Sequence, residues 1–597
     1  MGIAGQTPSL EPGHTGSQAS PVAARLRKLQ HLQQGASLPV LVVGGGINGA
    51  GTFRDLAYQG VDCLIVDKAD WCSGTSAAPS RLIHGGLKYL ETGEFRLVAE
   101  STHERNRLLR NAPHLVKPLA TTVPIRSYLG GIWPGLLRFL GRPAKLRDRG
   151  LLLVEVGLNI YDWLGRKERV MPRHSVALRR KSHRDVPGLD PDVIATSTYY
   201  DARVTLAERL CYEVVADGER AHAGAIALNY VSLVGSVNGR VRLRDETTGE
   251  SFEVAPQVVV NAAGPWIDRV NHVIGLNRDY IGGTKGSHVL VDAPDLLESL
   301  GGRMIYYGLG DGRICLAYPF FGTALLGTTD LKADDPDEVR CDDDEVAYIL
   351  ASINTLFPKL NLTADKIRFR YAGLRPLPAT AAADPGEISR DHVMRSDTLP
   401  GSEVPLLSLI GGKWTTFRAF AEQATDAVLH RLGQTRRSST AAEPIGGGRD
   451  YPGTAVERRG WIDGLSNRFG VTTDHAALLL DRYGTAAQDI LADGATGLGE
   501  PLRSLPSYEA AELRGIASRE QIVHLVDLVF RRTAIALSEP LSVGALEELA
   551  ATIAPVLGWS DEQCAAQVTA TITTAREKHG MCVDSRSVDL APSFAAS

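Results

Sequence analysis

A chain of 597 residues has room for about three or four domains of ordinary size. Hydrophobic residues at 44% and charged residues at 22% are ordinary globular usage, which excludes a wholly disordered or collagen-like chain. A formal net charge of -5 sets up no global basic field, so nucleic acid is set aside as a partner and any anion site must be local.

Residues 1–36 are rich in Gly, Ser, Pro, Gln and Ala, with a short basic run at Arg25, Arg27 and Lys28, and are expected to form a flexible N-terminal tail. At Val40 the texture changes: Val40-Leu41-Val42-Val43 reads as a buried strand, glycines follow, and Val61 to Val66 supplies a second strand. Gln257 to Val260 and Leu406 to Ile410 repeat the short apolar strand running into small residues, which implies further parallel strands of one sheet. Between them Ser287–Val291, Met304–Tyr307, Arg313–Ala317 and Ala324–Leu326 read as an antiparallel meander flooring a second domain. After Gly446 the pattern is helical, with capping-box spacings at Ser518/Gln521 and Ser560/Gln563. The apolar stripe Ile522, Leu525, Val526, Val529 and Phe530 follows the first of these at helical spacing. The expected organisation is an α/β Rossmann-like dinucleotide-binding domain, an antiparallel-sheet substrate domain and an all-α C-terminal domain. In numbers, 37–440 interleaves dinucleotide parts (37–125, 190–275, 365–435) with substrate or cap parts (126–189, 276–364), and 446–590 is the helical domain.

Gly44, Gly46 and Gly49 spell G-x-G-x-x-G directly after a strand, and Asp67 ends the next strand. The first glycine permits the turn, the second lets backbone amides approach a pyrophosphate, and the third lets helix and strand pack closely. Gly45 and Asn48 belong to the same loop, and Asp67, with Lys68 after it, would meet the adenosine ribose. The motif alone does not choose between NAD and FAD.

Three further strings resemble the DAO-type flavoprotein superfamily and favour FAD, which the family resemblance given next implies is held noncovalently. They are Ser73-Gly74-Thr75-Ser76, then Val260 to Trp266 with Ala263 and Gly264, then Gly411-Gly412-Lys413-Trp414-Thr415-Thr416. In the last, a glycine-led helix would aim amides and a positive dipole at the flavin. Four more strings narrow the resemblance to the aerobic, quinone-linked glycerol-3-phosphate dehydrogenases. These are Ser80-Arg81-Leu82-Ile83-His84-Gly85-Gly86-Leu87-Lys88-Tyr89-Leu90, Lys285-Gly286-Ser287-His288, Gly327-Thr328-Thr329-Asp330, and Gly373-Leu374-Arg375-Pro376-Leu377 followed by Ser389-Arg390-Asp391-His392. One departure is Lys88, where the family usually has arginine, which keeps the charge and loses the bidentate fork.

The resemblance implies oxidation of sn-glycerol 3-phosphate to dihydroxyacetone phosphate with hydride passing to FAD. It places Lys88, Tyr89, Arg375, Arg390 and Lys413 around the substrate, and Ser80, His84, Gly85 and Gly86 in a flavin loop. His288 is the expected proton acceptor, since imidazole accepts a proton near neutral pH and arginine does not; Lys285 would polarise the flavin or the substrate oxygen. Arg531-Arg532 reads as the solvated end of a helix. No metal is expected: Cys63, Cys72, Cys211, Cys315, Cys341, Cys564 and Cys582 form no C-x-x-C pair and no ligand spacing, a pattern that suits a reducing cytoplasm.

No apolar stretch approaches the roughly 20 residues of a membrane helix, and the N-terminus lacks a signal-peptide layout. Residues 126–165 mix Arg126, Arg138, Arg142, Lys145, Arg147 and Arg149 with Trp133, Leu136, Leu137, Phe139 and Leu140, a composition suited to an anionic lipid surface. The resemblance implies glycerol 3-phosphate and a membrane quinone as partners, and the segment adds the inner face of the cell membrane, with a homodimer compatible. The alternatives are a glycerol-3-phosphate oxidase using dioxygen, a flavoprotein of the same superfamily that oxidises amino or hydroxy acids, and a catalytically silent flavin-binding scaffold.

Overall fold

The computed structural model describes residues 20–35, 37–131, 149–166, 169–308, 313–379, 391–494, 496 and 498–584, with the side chains of Lys88, Glu91 and Thr92 outside that description. Two large sheets organise it. The first has six strands in the order 393–398, 405–410, 258–261, 40–43, 63–66, 225–228. Its four-residue strands Val40–Val43, Cys63–Val66 and Val258–Asn261 are buried at every position, as expected when helices cover both faces of a parallel sheet. Pairing is parallel throughout except at the edge, where Val393–Thr398 runs antiparallel to Pro405–Ile410.

The second sheet is mixed and larger. Met304–Gly308, Ile314–Phe320 and Thr323–Gly327 form the expected meander, but Thr284–Val291 then pairs with Thr323–Gly327 on one side and with Ile367–Arg375 on the other. Val116–Ile125, Ala195–Val204 and Ile367–Arg375, which the sequence groups with the dinucleotide parts, are hydrogen-bonded into this sheet. They are long strands, and their partners lie far away in sequence, so local pattern could not assign them to a sheet.

Two other expectations are corrected. Within the segment read as a tail, Pro21–Gln33 is a helix capped by the Ser20 hydroxyl, with Leu29 and Leu32 buried and Arg25 hydrogen-bonded to Asp245 at 2.8 Å. The capping box expected at Ser518/Gln521 is absent: Ser518 closes the helix Ala510–Arg519, and the cap is made by His524 and Asp527 ahead of a short α turn and a π-helical turn at Leu528–Arg532. The Ser560/Gln563 box is present at the start of Asp561–His579.

That π turn points Arg531 and Arg532 inward rather than to solvent. Arg532 is fully buried and forks onto both oxygens of Asp70 at 2.8 Å, while Arg531 reaches Asp70 at 2.7 Å and also bonds Asp527. Trp71 Nε1 donates to Gln521 at 3.1 Å, and Arg209 forks onto Glu520 at 3.0 Å. The helical domain is thereby locked to the loop that follows Asp67.

Candidate active site

The helix Ile47–Tyr58 starts immediately after the glycines, with Gly46 as N-cap and no acidic side chain in its first turn. Gly44 sits at φ +108°, and a Cβ there would lie 2.6 Å from the Ala262 carbonyl oxygen; a Cβ on Gly49 would strike Gly44 O. Both positions therefore require glycine. Ser76 Oγ accepts the Ile47 amide at 3.0 Å, and Asn48 Nδ2 donates to Gly411 O at 3.0 Å, so the first glycine loop touches both the 73–76 loop and the glycine pair ahead of the helix Phe417–Arg431. Gly412, at φ +82°, packs against the Asn48 amide, whose Oδ1 is buried with no hydrogen-bond partner among the described residues.

At the other end of this groove Asp67 accepts the Gly45 amide at 2.6 Å and the Ala69 amide at 2.9 Å. Burial pushes its carboxyl up to about 6 against those two bonds. Lys68 and Ser73 are exposed; Lys68 Nζ lies 4.6 Å above the Trp266 ring, and Trp266 in turn covers Gly74. Ala263 and Gly264 follow the strand Val258–Asn261, with Ala263 N donating to Asn261 Oδ1 at 3.3 Å.

The family strings converge on the second sheet. Gly286 faces Gly373, His288 faces both Tyr371 and Gly327, and Thr284 faces Arg375, so strings far apart in sequence become neighbouring rows. Paired residues in a sheet share a face. Arg375 donates to Asp330 Oδ1 at 2.8 Å and lies near Thr328 Oγ1 and Thr329 O at 3.3 Å. Room for its guanidinium exists because residue 286 is glycine: a Cβ there would sit 2.6 Å from Arg375 Cζ. On the same face His288 is buried, stacks on Tyr371 with centroids 5.0 Å apart, and shares a 2.8 Å hydrogen bond between Nε2 and Ser80 Oγ. Burial, then Arg375 and Arg81, push its imidazole down to about 3, so it stands neutral at physiological pH.

Lys285 is a correction. One residue along the strand from Gly286, it points to the opposite face, where Nζ meets Asp342 at 2.5 Å, Glu345 at 2.9 Å and Arg340 O at 3.0 Å. It steadies the N-terminus of the helix Asp343–Leu356 and is not brought to the arginine. The strand's period of two decides this.

The loop 75–89 joins the two halves. Thr75 Oγ1 donates to Leu374 O at 2.6 Å, beside Arg375; Tyr371 and Tyr318 hydroxyls donate to the carbonyls of Pro79 and Ser80. Buried Arg81 forks onto Glu208 at 2.9 and 2.7 Å. The His84 amide donates to Thr415 Oγ1 at 3.1 Å, and Thr416 caps the helix whose approach carries Lys413. Gly85 N–H meets Tyr161 OH at 2.9 Å within a buried cluster in which Tyr161 and Arg105 both donate to Asp201. A Cβ on Gly86, at φ +78°, would enter the Tyr89 ring. Lys413 Nζ lies 4.5 Å over that ring, buried and without a hydrogen-bond partner among the described residues.

Of the expected substrate residues, the structure thus places Arg375, Tyr89 and Lys413 around loop 75–89, while Arg390 and the Lys88 side chain lie outside the described residues. Sequence reading missed Asp330, Tyr371, the Arg81–Glu208 pair and the Arg105–Tyr161–Asp201 cluster. Asp330 and Arg81 sit inside recognised strings; Glu208, Tyr161 and Asp201 carry no local signal.

A model of the FAD dependent oxidoreductase family matches residues 39–395, and one of the C-terminal domain of alpha-glycerophosphate oxidase matches 438–564. A glycerol-3-phosphate dehydrogenase of Synechocystis sp. is 35% identical over 565 residues, 90% of this chain and 96% of that protein. The chain belongs to the FAD-dependent glycerol-3-phosphate dehydrogenase family. A D-erythritol 1-phosphate dehydrogenase of Brucella abortus is 31% identical over 83% of this chain and 93% of its own. The FAD complex of the glycerol-3-phosphate dehydrogenase from Bacillus halodurans superposes with a TM-score of 0.70 at 23% identity, covering 93% and 98% of the two chains, which shows the shared fold. The protein is accordingly an FAD-dependent oxidoreductase of polyol phosphates.

Proposed function

We propose that the protein oxidises sn-glycerol 3-phosphate to dihydroxyacetone phosphate and passes the electrons to a membrane quinone. The observation that carries the substrate class is Lys413: a buried ammonium with no acceptor among the described residues is costly unless an anion joins it. Family membership makes that anion the flavin or the substrate phosphate.

FAD fits the cradle. Gly44 and Gly49 leave no space for a side chain, Gly46 opens a helix whose first turn bears no competing acid, and the Asn48 side-chain carbonyl has no partner among the described residues. We assign Gly44, Gly45, Gly46, Asn48 and Gly49 to the pyrophosphate side, Asp67 and Lys68 to the adenosine side, and Ser73, Thr75, Ser76, Ser80, His84, Gly85, Gly86, Ala263, Gly264, Trp266, Gly412, Lys413, Thr415 and Thr416 to the flavin side. When bound, FAD supplies the hydride acceptor.

The protein's own residues supply the rest. The Arg375 fork binds the phosphate, with Asp330 holding its orientation. Lys413 and Tyr89 flank the ligand. His288 takes the hydroxyl proton at Nε2, where Ser80 Oγ now bonds. Its low proton affinity in the free protein is partly Arg375's charge, so a phosphate dianion paired to Arg375 raises it and readies the base as substrate arrives. The burial of this face strengthens each of these electrostatic effects.

A second reading has its own support: the erythritol-phosphate enzyme is about as similar as several glycerol-phosphate enzymes, which makes a longer polyol phosphate a real competitor. Anaerobic bleaching of the flavin by glycerol 3-phosphate, D-erythritol 1-phosphate and glycerol separates them. Reduction by glycerol 3-phosphate with the highest ratio of rate to dissociation constant supports the first reading, a higher ratio for the four-carbon phosphate supports the second, and bound FAD that neither phosphate reduces rules out both. Reoxidation by a soluble quinone analogue against dioxygen then identifies the acceptor. Among the described residues no helix is long and apolar enough to cross a membrane, so we propose peripheral contact at the inner face of the cell membrane.

A further inference from the structure

Where the second sheet meets the helical domain, cations gather that the chemistry above does not use. Lys117 and Arg203 stand directly opposite each other on the antiparallel strands Val116–Ile125 and Ala195–Val204, so their side chains leave the same face of the sheet. Like charges placed that way repel. The helical domain adds Arg458, on the helix Ala455–Phe469, and Asp481, on the helix Thr473–Tyr483. Asp481 reaches Lys117 at 3.6 Å and Arg458 at 3.1 Å, and Arg458 also donates to Tyr451 OH at 3.0 Å. Three cations therefore share one carboxylate among the described residues.

Arg203 is the least satisfied of the three. Its Nη1 donates to Pro319 O at 2.7 Å, while its Nε is sealed from solvent with no hydrogen-bond partner among the described residues. Burial pushes its guanidinium down, with the Tyr318 hydroxyl opposing and no carboxylate offsetting it. Burial also holds the Lys117 ammonium below the usual lysine range; Asp481 opposes this, and Arg458 and Arg203 add to it. The neighbouring acids are already occupied. Glu213 is taken by His114, Arg209 and the Gly447 amide, and Glu457 caps its own helix through the amides of Gly453 and Thr454.

The excess is two positive charges, which matches one phosphate dianion. We propose that this seam is a second anion site, where Arg203 at the floor and Lys117 and Arg458 at the rim bind a phosphate group. With Nη1 taken, Arg203 keeps its Nε–Nη2 edge, the edge that forks onto two oxygens of a phosphate. The rim is open to an incoming ligand, because the side chains of Lys117 and Arg458 are 32% and 33% exposed. An occupant would tie the sheet to the helical domain, since its cations come from both. It would also act next to the flavin loop. The Val204 amide, one residue from Arg203, donates to Arg81 O at 2.9 Å, and Tyr318, one residue from Pro319, donates to Ser80 O at 3.1 Å.

The test is calorimetric titration of the FAD-loaded protein with inorganic phosphate at low ionic strength, in the parent and in Arg375→Met, which weakens phosphate at the candidate active site. Arg375→Met is expected to keep one phosphate site. Adding Arg203→Gln or Lys117→Gln should raise the dissociation constant of that site about tenfold or more, the effect of losing one charge-assisted hydrogen bond. Sodium chloride at equal ionic strength should produce no such binding. Glycerol 3-phosphate in the same Arg375→Met protein identifies the source: equal affinity marks free phosphate as the occupant, and a tenfold preference marks a phosphorylated metabolite. Thermal unfolding gives a readout that a structural ion pair would not. Lys117 faces more like charge than opposite charge, so Lys117→Gln should leave the phosphate-free midpoint unchanged or raise it, and should remove the rise that phosphate causes. Three results overturn the proposal: no phosphate binding left in Arg375→Met, unaltered affinity in the Arg203 and Lys117 variants, or a phosphate-free midpoint that Lys117→Gln lowers as much as Asp481→Asn does. The last would assign Lys117 to its pair with Asp481, and it decides the matter even if Arg203→Gln does not fold.

Discussion

Gly286→Ala is a small change with a large expected effect. The added Cβ would stand 2.6 Å from Arg375 Cζ and 2.8 Å from Nη1. Carbon contacts relax only near about 3.5 Å, so the guanidinium must retreat by about 1 Å. That retreat breaks the 2.8 Å bond to Asp330 and the 3.3 Å approach to Thr328, and it turns the fork away from where a phosphate would sit. Hydrogen bonds to charged groups are worth about 1.5–3 kcal/mol each, and a displacement of about 1 Å costs about 100-fold in rate; both scales give a loss of about 100-fold in kcat/KM, or about 2.7 kcal/mol. The strand itself should tolerate alanine, because residue 286 does not need positive φ. Rapid-mixing measurement of flavin reduction against substrate concentration, with FAD content and thermal unfolding as controls, gives the answer. A variant with full FAD and a kcat/KM within threefold of the parent would refute the assignment of Arg375 as the phosphate fork.

His288→Asn should leave FAD content unchanged and slow flavin reduction at pH 7.5 by about 100-fold or more, the usual range for a positioned base; a loss below fivefold would assign His288 to packing against Tyr371. Asp70→Asn strips the partner from fully buried Arg532 and should cost about 3–5 kcal/mol in urea unfolding. Burial pushes the Asp70 carboxyl up, but Arg532 and Arg531 outweigh it and hold the group at about 2. A folded value below the unfolded one means that its contribution is complete above about pH 4 and is lost as pH falls through 2; an acid-unfolding midpoint identical in D70N would contradict this. Asp67, pushed up to about 6, should make FAD affinity fall as pH drops below 6, because the protonated carboxyl loses an acceptor for ribose hydroxyls. A dissociation constant that is flat from pH 5 to 8 by flavin fluorescence would exclude that role.

By itself the sequence determined the dinucleotide unit, the flavoprotein family, the helical C-terminal domain and the candidate set His288, Arg375, Tyr89 and Lys413. These are local facts: strand, glycine spacing and helix start are written in contiguous residues, because hydrogen bonding and steric fit over a few positions decide them. Tertiary structure decided which of the candidates share a face. Lys285 and His288 stand three positions apart on one strand, and alternation sends them to opposite sides of the sheet; only the pairing with Ile367–Arg375 shows which side holds the arginine. The same holds for Arg531 and Arg532, which read as solvated until a π turn buries them on Asp70, whose partner lies more than 450 residues away in sequence. Charge neutralisation at that distance, like the burial that turns His288 neutral, depends on what the folded chain packs around a group, which its neighbours in sequence do not specify.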